Sequence, residues 1–312
     1  MAIVSMVLTV LGLAMFETIS SIDNAIINAE VLSGMSQKAR KWFLFWGILF
    51  AVFVVRGALP WLIVWATTPS LGLFGSLTAT FSNDPSVHAA IESSAPILLV
   101  GGGTFLVFLF LHWLFLETKH FGLPGEAFIA RQGVWFYAVV SVLLVGIVWE
   151  ALKIDPLLAL GAVVGSSAFF ITHGFKQNAE RAEEQMLEGT SHMSDVSKIL
   201  FLEIIDMTFS IDGVLGAFAF TLSVPLILIG NGIGALVVRY MTVSNIERIK
   251  KYALLKNGAM YSVLALGTIM LLHGFGAHIP EWVSPVVTAI IIAYFGYQSV
   301  RLVRAQEAPA FQ

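Results

Sequence analysis

Apolar positions along this chain run in long blocks and seldom alternate with polar ones. Nine blocks emerge, at about residues 3–32, 42–66, 95–117, 134–152, 155–173, 199–222, 224–243, 258–274 and 282–303. Each is close to the roughly 20 residues that a helix needs to cross a hydrocarbon core. In lipid only helices and closed barrels satisfy their backbone. The blocks are too long and too uniformly apolar for the alternation of barrel strands. The pattern predicts an all-α polytopic membrane protein with about nine transmembrane helices. Two blocks are interrupted, the fifth by Gly161, Gly165 and Gly174 and the seventh by Gly230, Asn231, Gly232 and Gly234. Small residues also let helices pack closely.

Composition agrees with that reading. Of 312 residues 57% are hydrophobic and 12% charged, with mean hydropathy +0.85. A soluble protein carries about twice that charged fraction. Length therefore counts spans here, not globular domains. The net charge of −3 says little about partners, and nothing points to nucleic acid. The absence of cysteine excludes disulfides, thiolate metal sites and thiol catalysis. No Lys or Arg precedes Lys38, so the first block lacks a signal peptide's basic start and reads as a retained span.

Basic residues cluster in alternate loops. Lys38, Arg40 and Lys41 follow the first block, Lys119 and Arg131 the third, and Lys176, Arg181 and Lys198 the fifth. Arg248, Lys250, Lys251 and Lys256 follow the seventh, and Arg301 and Arg304 close the chain; the other loops hold only Lys153. The positive-inside rule places the N-terminus outside and the C-terminus in the cytoplasm. Residues 67–94 read as a polar external loop. Residues 176–198 read as the main cytoplasmic loop, with a solvated helix around Glu180, Arg181, Glu183, Glu184 and Glu188. The tail 305–312 reads as disordered.

One stretch occurs twice. Phe16-Glu17-Thr18-Ile19-Ser20-Ser21-Ile22-Asp23-Asn24 matches Ile205-Asp206-Met207-Thr208-Phe209-Ser210-Ile211-Asp212-Gly213. Each has an acid, five residues, then Asp preceded by Ser-Ile. The copies lie on the first and sixth blocks, so they run oppositely through the membrane. An inverted-topology repeat places its site near the midplane where the halves meet. The next block in each half carries one arginine, Arg56 and then Arg239. The resulting division is 1–152 for the first repeat, 153–198 for a linking span and loop, and 199–304 for the second.

Charges at mid-membrane cost roughly 2.5–3.5 kcal/mol each on insertion scales, so matched acids there ask for a function. Asp, Glu, Asn and Ser are hard oxygen ligands, suited to Mg, Ca or Mn. Residues six apart on an unbroken helix diverge by about 120°. Glu17 and Asp23 would share a cavity only if the helix broke at Ser20-Ser21, and a similar break is expected before Asp212. Glu203 and Asp206 share a face. Five acids (Glu17, Asp23, Glu203, Asp206, Asp212) against Arg56 and Arg239 leave a formal −3, which a divalent cation and a proton would neutralise. The arginines have no lone pair to donate and serve as counter-ions. A lone intramembrane acid can also be a neutral packing residue, and Arg239 can snorkel to the interface. His112, His173 and His273 read as packing residues, because none has a ligand-spaced partner in the chain. Gly101-Gly102-Gly103 is no phosphate loop, since no Lys-Ser follows it.

Glu17-x5-Asp23-Asn24 and Asp206-x5-Asp212 resemble the paired acidic motifs of TerC-family membrane proteins. More specifically, the chain resembles that family's longer nine-span branch, long filed as a domain of unknown function. The resemblance covers nearly the whole chain and implies a bacterial inner-membrane exporter of a divalent cation, with Mn2+ favoured as substrate. It carries the metal-binding role to Glu17, Asp23, Asn24, Asp206 and Asp212. Gly213 departs from it, leaving an asymmetric site or one to which Glu203 adds an oxygen. No cofactor and no enzymatic activity are expected. The alternative is a non-transporting membrane scaffold for a tellurite/metal stress-response or metal-insertion complex, with partners docking at 176–198. An intramembrane aspartyl protease fits poorly, because the motif reads Ser-Ile-Asp and not Gly-x-Gly-Asp.

Overall fold

The computed structural model describes residues 2–33, 35–47, 50, 54, 56–79, 85–119, 122–187, 194–244 and 251–307. Every regular element among them is helical. The first half contains α1 (Ala2–Ser20), α2 (Ile22–Ser33), α3 (Gln37–Trp42), a π-helical turn (Phe43–Gly47), α4 (Arg56–Thr67) and α5 (Gly72–Ala79). It continues with α6 (Pro85–Leu116), α7 (Glu126–Ala130) and α8 (Phe136–Leu152). Then come α9 (Pro156–Leu187), α10 (Asp195–Ala217), α11 (Val224–Ser244), α12 (Leu255–Gly274) and α13 (Val283–Glu307).

Among the described residues, seven helical segments are long and apolar enough to span a membrane: Ile3–Ser20, Glu92–Leu116, Gly133–Leu152, Pro156–Asn178, Val224–Met241, Leu255–Gly274 and Val283–Ala305. Two of the nine expected spans are not among them. Block 42–66 lies partly outside the described residues, and α10 carries Lys198, Glu203, Asp206 and Asp212. The outer faces confirm the environment. On α8, Val140, Ile147 and Ala151 are buried while Val142, Val145 and Trp149 are exposed. A helix apolar on both faces is solvated by lipid, not water. The chain is an all-α, multi-pass membrane protein.

Glycines set the helix spacing. A Cβ on Gly101 would stand 2.8 Å from the Gly161 carbonyl oxygen, and one on Gly165 would collide with the Gly101 carbonyl. A Cβ on Gly103 would stand 2.8 Å from the Gly267 carbonyl oxygen. Helix α6 is thus held against α9 on one side and α12 on the other at backbone contact. Gly230 and Gly234 do the same for α11 against α1, at Leu13 and Ala14. Four of the glycines that interrupted two predicted blocks, Gly161, Gly165, Gly230 and Gly234, are therefore packing points inside continuous helices, as small-x3-small spacing permits, whereas Gly174 has open space beside it.

The helix expected around Glu180 is the continuation of α9, which runs unbroken from the fifth block to Leu187. Two other expectations need correction. Region 67–94 is not a plain loop: it holds a 3-10 turn (Pro69–Leu71), α5 and the start of α6. The tail is helical through Glu307, and residues 308–312 lie outside the described set. Ser194 caps α10 by accepting from the Ser197 amide, and Ser36 caps α3 through Ala39. The Ser36 hydroxyl also donates to Asp195 at 2.5 Å, tying the α2–α3 turn to the first turn of α10.

Candidate functional site

The two acid motifs begin alike and end differently. In the first, α1 stops at Ser20 and α2 starts at Ile22, so the helix is interrupted at Ser21, two residues before Asp23. Two hydroxyls act there. Ser20 donates to the Glu17 carbonyl at 3.3 Å, and Ser21 donates to the Glu17 carboxylate at 2.8 Å. Such side-chain bonds compete with the helical ladder. The interruption is shallow, because the Ser21 amide still reaches the Glu17 carbonyl at 3.1 Å.

The second copy does not break, contrary to expectation: α10 is continuous from Asp195 to Ala217. Phe209 replaces one of the two serines. The remaining one, Ser210, donates to the Asp206 carbonyl at 2.5 Å, a bond along the helix. On this unbroken helix the six-residue offset separates Asp206 from Asp212. Asp212 lines a cavity, whereas Asp206 turns to Arg239 and Asn28. The shared site drawn from a doubly broken pair is therefore not formed in the second half.

Each leading acid is bound to the arginine of the following span. Arg56 donates to Glu17 at 2.5 Å, with the two side chains 8% and 1% exposed. Arg239 lies 3.6 Å from Asp206. Arg239 also donates to the Phe43 carbonyl at 2.7 Å and covers the Phe43 ring at 4.0 Å. Phe43 opens the π-helical turn, and π-turns recur at functional sites. The Asn28 amide donates to Asp206 at 3.0 Å, joining the halves. Sequence reasoning passed over Asn28, although an amide in an apolar run is the same kind of signal as an acid.

Glycines again make the room. A Cβ on Gly213 would lie 2.8 Å from a Glu17 carboxylate oxygen, and one on Gly234 would lie 2.6 Å from the Glu17 Cβ. Gly213 stands where the first copy has Asn24 because Glu17 of the opposite half fills that space. Gly47 similarly accommodates Glu203, whose Oε1 would collide with a Cβ there. Glu203 thus sits beside Arg239 and the π-turn, and both its oxygens are buried without a hydrogen-bond partner, as is Asn28 Oδ1. The side chains of Asp23 and Asn24 lie outside the described residues. Among the described residues no three His, Asp or Glu side chains form a group able to hold a metal ion.

A testable consequence concerns Gly213→Ala. Overpacking costs about 1–3 kcal/mol, against a helical preference for Ala of up to about 1 kcal/mol. A lower thermal midpoint in detergent is expected. A gain in stability would show that Glu17 does not occupy the space beside Gly213.

A cavity of about 690 Å³ opens beside these residues, lined by Glu17, Ser20, Ser21, Asp212, His112 and His173 and reaching Glu117, Lys176 and Lys256. Lys256 pairs with Glu117 at 2.6 Å at this end. Nearby, Lys119 donates to the Trp113 carbonyl at 2.5 Å, and burial pushes its ammonium pKa down to about 8. A second cavity, of about 320 Å³, is lined by Glu92, Phe218, Phe220, His273 and Glu281. Phe16 lines the larger cavity and Phe220 the smaller, and their rings meet at 5.9 Å. His273 therefore belongs to a different space from His112 and His173.

Fold and site together define a multi-pass helical membrane protein whose buried acids are held by arginines from neighbouring spans. A family model described as "Protein of unknown function (DUF475)" matches residues 22–306, and the chain belongs to that family. No curated protein and no solved structure matches the chain.

Proposed function

We propose that the protein is a secondary transporter that moves Mn2+, or a similar hard divalent cation, outward across a bacterial inner membrane. In this reading its family is a branch of the TerC group, and it is not an enzyme. The observation that carries the proposal is Asp212. It lies in the last third of α10, opens on the larger cavity, and its side chain makes no hydrogen bond among the described residues. An intramembrane acid left facing a cavity is the expected form of an ion pathway.

Its surroundings support the same reading. Arg56 and Arg239 compensate Glu17 and Asp206 while no ion is bound. A divalent cation entering at Asp212 would gather Asp23 and Asn24 from the first half and loosen Glu17 or Asp206 from its arginine. Glu203 would add an oxygen on the Asp206 side. Carboxylates gathered closely resist full ionisation without metal, which makes proton exchange for the cation a natural coupling. Helix packing supports an inverted repeat over 1–152 and 199–304: α1 lies on α11 and α10 on α4, while α6 and α12 pack on each other. By the positive-inside rule, the cavity mouth at Lys176 and Lys256 is cytoplasmic.

Flux into proteoliposomes tests the proposal. Purified protein should carry Mn2+ faster than protein-free vesicles, and no difference would end it. A scaffold role is the second reading, favoured by the continuation of α9 to Leu187 beyond its apolar part. Replacing residues 179–193 with a Gly-Ser linker should leave flux intact if the protein is a transporter. If it is a scaffold, metal tolerance should be lost while both acid motifs remain.

A further inference from the structure

His112 on α6 and His173 on α9 are 61 positions apart in the chain, and no spacing rule links them. Their imidazole rings nonetheless lie 3.9 Å apart, centroid to centroid. Both line the larger cavity together with Asp212. Neither ring makes a hydrogen bond or ion pair among the described residues. The surroundings hold the rings in place. Phe169 stacks on His173 at 5.9 Å and 5°, and Phe136 meets His112 edge-on at 5.5 Å. The backbone contact of Gly101 with Gly161 and Gly165 sets the register of the two helices. A packing histidine usually spends a ring nitrogen on a partner; here two rings face the same open space with none.

We propose that His112 and His173 form a two-imidazole station that binds a transition-metal divalent cation in this cavity, apart from the acid–arginine contacts. Neutral imidazole suits Zn2+, Ni2+, Fe2+ and their neighbours, whereas Mg2+ and Ca2+ require oxygen shells. Water would complete the coordination, and Asp212, on the lining of the same cavity, would offset part of the ion's charge. The station gives the cavity a chemical filter. Mg2+, abundant in any cell, finds no nitrogen-selective advantage here, while a borderline cation does. As a filter for export this rests on the transport reading; as a binding site it stands alone.

The experiment uses the purified full chain in detergent micelles, with any affinity tag removed. Ni2+ and Mg2+ are titrated by calorimetry into wild type, His112→Gln and His173→Gln. Each substitution should weaken Ni2+ binding by at least about tenfold, the scale seen when a partner of a metal ligand is removed, and leave Mg2+ unchanged. A variant-free readout accompanies it: Ni2+ should shield His112 and His173, and not His273, from diethylpyrocarbonate in peptide mass maps. Ni2+ affinity indifferent to both histidines, equal losses for Mg2+, or no shielding would overturn the proposal. Mn2+ flux in the same preparation separates the two readings. Flux with Ni2+ binding indifferent to the histidines removes only the station, and Ni2+ binding through them without flux removes only transport.

Discussion

Cells producing Asp212→Asn are expected to retain Mn2+ like cells lacking the protein. Asn keeps the shape of the side chain and removes its charge. Asp212 makes no hydrogen bond among the described residues that the change would break, and it opens on the cavity instead of packing. The fold should therefore survive. Taking a carboxylate out of an apolar helix removes a desolvation penalty, so the thermal midpoint in detergent should hold or rise. In the transport reading, what is lost is an anionic oxygen donor for the ion. Cellular manganese by elemental analysis, alongside quantified membrane expression, decides the matter. Normal efflux at normal expression would remove Asp212 from the pathway. Asp23→Asn should behave in the same way if α2 supplies the facing ligand.

Arg56→Met should act through stability first. Glu17 is 1% exposed and receives both Arg56 and the Ser21 hydroxyl. Removing the guanidinium leaves a buried carboxylate without its counter-charge, a change that costs about 3–5 kcal/mol in buried pairs. The double variant Arg56→Met/Glu17→Gln should regain most of that loss, because a neutral amide needs no counter-charge. Each acid keeps one further donor, so Arg239→Met should cost less at the ion pair because its contact with Asp206 is longer, at 3.6 Å, than that of Arg56 with Glu17. Fluorescence-detected size exclusion after heating ranks the three variants. Equal losses for Arg56→Met and Arg239→Met would show that the two halves are not compensated in this unequal way.

The same inequality explains how much of the site could be read beforehand. Helix type and membrane location are properties of runs of about 20 residues in one solvent, so composition decides them locally. The interruption at Ser21 was also legible, since it depends on hydroxyls and an acid within four residues of one another. The pairing of each motif with the next span's arginine followed from repeated order along the chain. The continuity of α10 was partly legible, because Phe209 stands where the first copy has Ser20, but identical Ser-Ile-Asp endings hid it.

Other features depend on where one helix meets another. Gly213 read as a missing ligand until Glu17 was found in the space beside it. Asn28 reaches Asp206 across 178 positions. His112 and His173, without a partner by spacing, adjoin because α6 and α9 touch at glycine. By itself, then, the sequence determined an all-α membrane chain with two matched acid motifs, because solvation and helix geometry act over a few turns. The tertiary structure alone decided that the second motif is unbroken in use, with Asp206 bound to its arginine and Asp212 turned to a cavity beside two histidines. Contacts between helices are set by rotation and register, and no local period encodes either.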